Sequence, residues 1–392
     1  MKSKETQIIV IDHMSFKTFH VVFNTAFLEI CSKIFNKVTY KGNKVYVQNN
    51  LLERFKDYDN IKIYSRWIYN GDNKIGWSLR NLMGIFTNLW EYLKASYHSV
   101  ICFNPANPLS FPIILLCNII LKKKVIFIVH GDLSSLKKNF SITQPSFYYK
   151  KFYYWGLKKF ISLSGAYILV LGNSIKQNLI SIIPQSKNNI LSIYHPGTPL
   201  DIYKEKEKTS IIKKPIIIGT AGTMSDSKGL KELLLLANIL SDKIKNNEIE
   251  IRCIGKVDDR SHLDNGLIKW IGYSDALSNE DFKKEVKQLD YLLYLYNPSD
   301  YDLTASGAII DSIIYQVPFI AIRNSFFEDL FKNAIPGFFV DSVDEILSIL
   351  SKILNGEQNR LFEKEFEIMK ERISIDYNAS LLSEQLIEEN YI

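Results

Sequence analysis

At 392 residues the chain is too long for one ordinary core and suits two domains of roughly 150–200 residues each. Its 46% apolar and 23% charged residues exclude a disordered or collagenous protein. The net charge of +6 conceals a split, because residues 1–200 carry 25 Lys/Arg against 9 Asp/Glu while 201–392 carry 23 against 33. The first half is therefore the one expected to face an anionic partner such as nucleic acid, anionic lipid or a phosphorylated substrate.

Four dispersed cysteines, Cys31, Cys102, Cys117 and Cys253, form no CxxC pair. That pattern argues against a disulfide framework or a zinc site and predicts a reducing, cytoplasmic setting. The first apolar run is too short for a signal peptide. The longest, FPIILLCNIIL (111–121), falls well short of the ~20 residues that span a bilayer, so a soluble or peripheral protein is expected.

QIIVID (7–12) predicts a buried strand and HVVFNTAFLEICSKIFNK (20–37) a helix with helical apolar spacing. KVYVQ (44–48) and IKIY (61–64) predict strands, residues 79–97 a helix, and SVICFN (99–104) a strand ending in the breaker cluster NPANP. A helix over 111–121 leads into KKVIFIVHGD (123–132), a strand that stops at His130-Gly131. SFYYKKFYYWGLKKFISLSG (146–165) predicts a helix, and residues 166–180 a further strand and helix.

After a linker-like stretch rich in Pro, Gly and mixed charge (194–215), the theme restarts. Strands are predicted at 215–222, 249–259, 268–273, 291–299 and 317–323, helices at 227–244, 278–290 and 306–316, and further helices to the end. Strands alternating with helices predict parallel sheets covered on both faces. The expected fold is α/β: two doubly wound Rossmann-like domains, 1–198 and 199–392, facing a central cleft, with the last helix packing back on the first domain.

Three strand ends in the second half carry residues that let backbone approach a ligand. In GTAGTMSDSKGL, Gly222 closes a strand and Lys228 opens a helix, a pairing suited to phosphate, although neither a P-loop nor GxGxxG is present. In DLTASGAIID, Thr304 and Ser306 are the expected helix caps, Gly307 and Ala308 would offer free N–H groups to a pyrophosphate, and Asp311 would accept from ribose hydroxyls. In IKWIGYS, the Gly272 turn would lie beside a base.

The order and spacing of GT…KGL, CIG, WIGY, SGAIID and IIYQVPFIAI resemble the GT-B glycosyltransferases, close to the retaining, nucleotide-sugar-dependent group called family-4-like. The resemblance covers nearly the whole chain and is strongest over 216–330. It implies a donor site in the second domain, an acceptor site in the first, no metal and no cofactor, the nucleotide-sugar being a substrate. Two positions depart from the pattern. Thr223 stands where the family carries Arg, and Leu303 where it carries the first of two glutamates, leaving Asp302 or Asp300 to supply that contact; Asp311 takes the place of the second. The two DYD triplets, 57–59 and 300–302, are read as non-metal.

In the first half VIFIVHGDL resembles the family's strand ending in a cleft histidine, which makes His130 the catalytic-site candidate with Asp132 behind it. The first loop lacks the family's glycines, so His13, Ser15 and Lys17 are the candidate acceptor contacts, with His20 nearby. His98, His195 and His262 are read as surface or structural.

On a helical wheel, 146–165 places Tyr149, Phe152, Tyr153, Gly156, Leu157 and Phe160 on one face. Lys150, Lys151, Lys158 and Lys159 fall opposite with Tyr148, Tyr154 and Trp155, the composition of a surface-lying membrane contact. The expectation is a hexosyltransferase of bacterial-type cell-surface polysaccharide synthesis, peripheral on the inner membrane face, with a glycan or polyprenyl-linked acceptor. Two alternatives stay open: an inverting GT-B transferase or nucleotide-sugar epimerase, and a membrane- or nucleic-acid-binding protein with a decayed donor site. No helix-turn-helix, RRM or zinc signature favours nucleic acid.

Overall fold

A computed structural model describes residues 6–17, 20–69, 74–197, 214–261, 263, 266–274, 277–358 and 361–392. These divide into two compact units: residues 6–197 with 303–305 and 373–392, and residues 214–302 with 306–372.

The first unit holds seven strands: β1 (Gln7–Ile11), β2 (Lys37–Asn43), β3 (Ile61–Arg66), β4 (Ser99–Phe103), β5 (Lys124–Ile128), β6 (Tyr167–Leu171) and β7 (Ile190–Ile193). All pairings are parallel, in the order β3-β2-β1-β4-β5-β6-β7. Both faces of a parallel sheet are covered, so its central strands read as unbroken apolar runs, and every residue of β4 and β6 is buried.

KVYVQ is not a strand. The Asn43 side chain accepts from the N–H groups of Val45 and Tyr46 and so caps a helix, Lys44–Asn50, while the strand is the more polar KVTYKGN before it. Helix Lys74–Lys94 is tied down at its last turns. Buried Glu91 pairs with Lys41 and Arg66 on the sheet, and Lys123 Nζ donates to the carbonyls of Tyr92, Leu93 and Ala95, groups that a helix end leaves without partners. The terminal helix Ile375–Glu388 buries Ala379, Leu382 and Leu386 in this unit's core and packs along helix Val21–Ile34.

The second unit holds β8 (Ile216–Ala221), β9 (Ile249–Ile254), β10 (Ile268–Ile271), β11 (Tyr291–Tyr294), β12 (Phe319–Ile322) and β13 (Gly337–Val340), again all parallel, in the order β10-β9-β8-β11-β12-β13. Strands β7 and β13 are not among those predicted from the sequence.

In each sheet the strand order reverses once, between β1 and β4 and between β8 and β11. Such switch points open a crevice beyond the carboxyl ends of the strands, where ligands of open α/β sheets bind.

Candidate functional site

In the second unit, the turn after β8 meets the start of helix Ile309–Tyr315. Gly222 has φ +93°, and a methyl group there would lie 4.0 Å from the Ala308 Cβ. Gly255, at φ +118°, backs this turn, and a Cβ on it would come within 2.5 Å of the Gly222 carbonyl oxygen. Gly229, at φ +86°, is pressed still more closely on Leu295, beyond β11, a Cβ there running into its carbonyl oxygen. Only glycine permits both the positive φ and the approach.

Lys228 closes the short turn Asp226–Lys228 and is half-buried, as is Asp311 in the first turn of its helix. Burial pushes the Asp311 carboxyl up to about 7, against the pull of Lys228. Burial also lowers the Lys228 ammonium, against the pull of Asp311 and Asp258. A cation, a titratable carboxyl and a glycine turn thus share the switch point of this sheet.

The other expected donor contacts differ from one another. Thr223 and Gly307 are exposed. Neither Thr304 nor Ser306 caps the helix, which begins at Ile309 without a side-chain cap. The Thr304 hydroxyl is buried without a partner, and that of Ser306 donates at 3.1 Å to the hydroxyl of Tyr296, whose ring stacks on Tyr301. Asp302 accepts from the Ser325 hydroxyl at 3.3 Å, and the Asp300 side chain lies outside the described part. Gly272 has φ +69° and closes its turn against Leu277.

In the first unit, residues at the carboxyl ends of β1, β4 and β5 join a buried polar network. Asp12 accepts from the N–H groups of Met14 and Ser15, from the Tyr40 hydroxyl and from Asn24 Nδ2. Asn104 Nδ2 donates to Asn24 Oδ1 at 2.9 Å, and Asn104 Oδ1 lies 3.1 Å from His130 Nε2. The His130 ring sits 4.4 Å from that of His20 and 4.6 Å from Phe23, which also touches His195. Burial and these two imidazoles hold His130 well below the ordinary histidine range, and burial lowers His20 and His195 to about 4.

Two acceptor candidates require correction. His13 and Ser15 are each 2% exposed: the His13 ring nitrogens are enclosed, and Ser15 is held by Asp12 and Asn24, so neither side chain is offered to a ligand. Lys17 is exposed, with its carbonyl accepting from Asn50. His195 packs its ring edge-on against Phe23 beside the His130 ring, His98 is exposed, and His262 lies outside the described residues. Asp132 is in the turn Gly131–Leu136, its side chain outside the described part. Asp12, Asn24 and Asn104 were not singled out from sequence, and Gly255 entered only as the glycine of CIG. Asp12 and Asn104 were findable, since each directly follows a switch-point strand.

The stretch 146–165 is helical but broken in phase: helix Pro145–Trp155, a π-helical turn Gly156–Phe160, then helix Ile161–Ser164. Tyr153, Gly156 and Leu157 are buried, whereas Lys151, Tyr154, Trp155, Lys158 and Lys159 are exposed. Lys150 departs from this, being half-buried with its Nζ donating to the Lys138 carbonyl. Among the described residues no helix is long and apolar enough to cross a membrane, and no three His, Cys, Asp or Glu side chains come together to hold a metal ion.

No protein-family profile matches the chain, and no curated protein is similar to it in sequence. Solved structures are similar over its whole length. Anabaena HepE in complex with UDP superimposes with a TM-score of 0.64 at 13% identity, covering 98% of this chain and 100% of the other. Sucrose-phosphate synthase from Thermosynechococcus elongatus gives 0.65 at 12% identity, covering 98% and 99%. S. aureus TarM in complex with Fondaparinux, alpha-GlcNAc-glycerol and UDP gives 0.63 at 12%, covering 98% and 99%. With two all-parallel sheets of seven and six strands matching these glycosyltransferases along the chain, the protein has the two-domain α/β GT-B fold.

Proposed function

We propose that this protein transfers a hexose from a nucleotide-sugar to a glycan or polyprenyl-linked acceptor in cell-surface polysaccharide synthesis, with retention, without a metal ion and without a cofactor. The observation that carries the reading is the placement of half-buried Lys228 and Asp311 with the Gly222 turn at the switch point of the second sheet. Lys228 would neutralise the leaving diphosphate, the open backbone at Gly307 and Ala308 would approach it, and Asp311 would receive the ribose hydroxyls. Gly272 would border the base, with Thr223, Asp302 and Ser306 around the donor. His130, at the carboxyl end of β5, would meet the reacting sugar, with Asp132 beside it and Lys17 toward the acceptor. The similar HepE structures, solved with UDP and with UDP-glucose, favour this class of donor.

A thermal-shift screen against nucleoside diphosphates and their sugars tests the reading. A ligand at 100 times its Kd stabilises the fold by about 2.7 kcal/mol, a shift of a few degrees. Lys228→Ala should abolish the shift, and no stabilisation by any sugar-nucleotide would refute the donor site. Thr223 and the buried Leu303 favour a second reading, a membrane- or nucleic-acid-binding protein with a decayed donor site, while an inverting transferase or a nucleotide-sugar epimerase is the enzymatic alternative. The anomeric configuration of the product, read by NMR, separates the enzymatic cases.

The membrane part of the proposal places the protein on the inner membrane face, contacted through Lys151, Trp155, Lys158 and Lys159, with Lys150 in a lesser role. Helix Lys74–Lys94 supports it with an outward stripe of Ile75, Leu79, Leu82, Phe86, Trp90 and Leu93, spaced three or four residues apart and all exposed.

A further inference from the structure

We infer that a one-way chain of hydrogen bonds, from the Asp12 carboxylate through Asn24 and Asn104, holds the His130 ring as its Nε2–H tautomer and leaves Nδ1 as the acceptor that the ring presents. The consequence for catalysis rests on His130 being the reacting-sugar residue proposed above; the tautomer itself does not.

The direction follows from what each group can do. Asp12 receives the Met14 and Ser15 N–H groups on Oδ1 at 2.9 and 2.8 Å, and the Tyr40 hydroxyl on Oδ2 at 2.7 Å. A carboxylate ringed by donors only accepts, so Asn24 must turn its Nδ2 toward it, at 3.0 Å. That same amide nitrogen also lies 3.1 Å from Ser15 Oγ and 2.9 Å from the Tyr46 hydroxyl, both able to accept. Asn24 Oδ1 therefore points at Asn104, which must donate its Nδ2 across the 2.9 Å gap. The atom left on Asn104 is Oδ1, 3.1 Å from His130 Nε2, and only a protonated nitrogen can satisfy it.

Rotating either amide would set oxygen against oxygen or donor against donor. Asp12, Asn24 and Asn104 are each 1% exposed, so water cannot repair the mismatch. The partners stand on rigid elements: the ends of β1, β4 and β5 and helix Val21–Ile34. Burial, with His20 and His195 alongside, disfavours a second proton on the ring, so one proton is distributed between two nitrogens. Nδ1 makes no hydrogen bond to any described residue and is matched to a hydroxyl that donates, such as one on a sugar.

The test is the long-range proton–nitrogen NMR spectrum of ligand-free, 15N-histidine-labelled protein at pH 7.5. The signals of His130, one of six histidines, are identified by their loss in His130→Gln. The expected result is a protonated-type Nε2 and an unprotonated-type Nδ1. The reverse pattern, or two averaged nitrogens, in the wild type would overturn the inference. Asn24→Leu and Asn104→Ala should each move the two nitrogen shifts toward one another, and unchanged shifts in both folded variants would also overturn it. Should Asn24→Leu not fold, the wild-type spectrum and Asn104→Ala decide. Because no donor is present, failure of the transferase reading in the thermal-shift screen leaves this result unaffected.

Discussion

Lys228 and Asp311 act on each other's charge across the switch point of the second sheet, and burial opposes both. The Asp311 carboxyl is raised from 3.8 to about 7, so it changes state across neutral pH. If ribose hydroxyls donate to it, binding needs the ionised form. Affinity for a nucleotide-sugar, whose own phosphates do not titrate near pH 7, should then rise about tenfold between pH 6 and 8. Titration calorimetry at both values checks this. Asp311→Asn should bind with no such slope, and a wild-type affinity that is flat or falls with pH would contradict the assignment.

The two units should respond to acid in opposite senses. Asp311 has a folded pKa above its unfolded one, so its stabilising effect is complete below about 3.8 and is lost as pH rises through about 7. In the first unit His13, His20 and His195 have folded values near 4, below the ordinary 6.5. Their contribution is complete above 6.5 and is lost as pH falls toward 4. Between pH 7 and 5 the first sheet should lose about 1–2 kcal/mol per histidine, while the second gains from Asp311. Opening free energies from hydrogen exchange, corrected for intrinsic rates, distinguish this from a parallel loss in both sheets.

Much of the fold was legible because buried parallel strands are continuous apolar runs, and VICF, VIFI and YILVL leave little choice. KVYVQ misled because Val45 and Val47 alternate with polar neighbours while Asn43, just upstream, caps a helix. The donor-side glycines were visible as motif pieces. The Asp12–Asn24–Asn104–His130 chain was not, since its members lie up to 118 positions apart and none has a local pattern. Burial hid the failure of His13 and Ser15 as ligand contacts, for two polar residues after a strand look the same whether they point outward or into a closed network.

Gly255→Ala tests the support of the donor turn. The new Cβ would meet the Gly222 carbonyl at 2.5 Å with φ at +118°, so the backbone itself must shift. Urea unfolding should show a loss of about 2–3 kcal/mol. Nucleotide affinity should fall as well, because the displaced Gly222 faces Ala308. Gly356→Ala, also at positive φ but in open space, should lose stability without affecting binding.

Membrane contact divides into a charge arm and an apolar arm. Lys151, Lys158 and Lys159→Glu should abolish sedimentation with anionic vesicles and leave nucleotide binding intact. Phe86→Ser with Trp90→Ser, at positions 76% and 56% exposed, should weaken vesicle binding at high salt as well. Vesicle binding unchanged in both variants would return these surfaces to plain solvent exposure. If only the serine pair alters the oligomeric state, the stripe on helix Lys74–Lys94 is a contact between copies of the chain.

The terminal helix should be required for the first unit, although residues 194–374 separate it from that unit's last strand. Leu386 is 1% exposed in that unit's core. The Tyr391 hydroxyl donates to the Gly165 carbonyl at 2.8 Å, and Lys124 Nζ donates to the Tyr391 carbonyl at 2.7 Å. Leu386→Ala should cost about 2–4 kcal/mol through the lost burial and the cavity left behind. Tyr391→Phe should cost about 1 kcal/mol through the unpaired Gly165 carbonyl. Exposed Glu384→Ala on the same helix should stay within about 0.5 kcal/mol. In calorimetry only the transition of the first unit should move. A shift confined to the transition that nucleotide stabilises would mean that the helix supports the second unit instead.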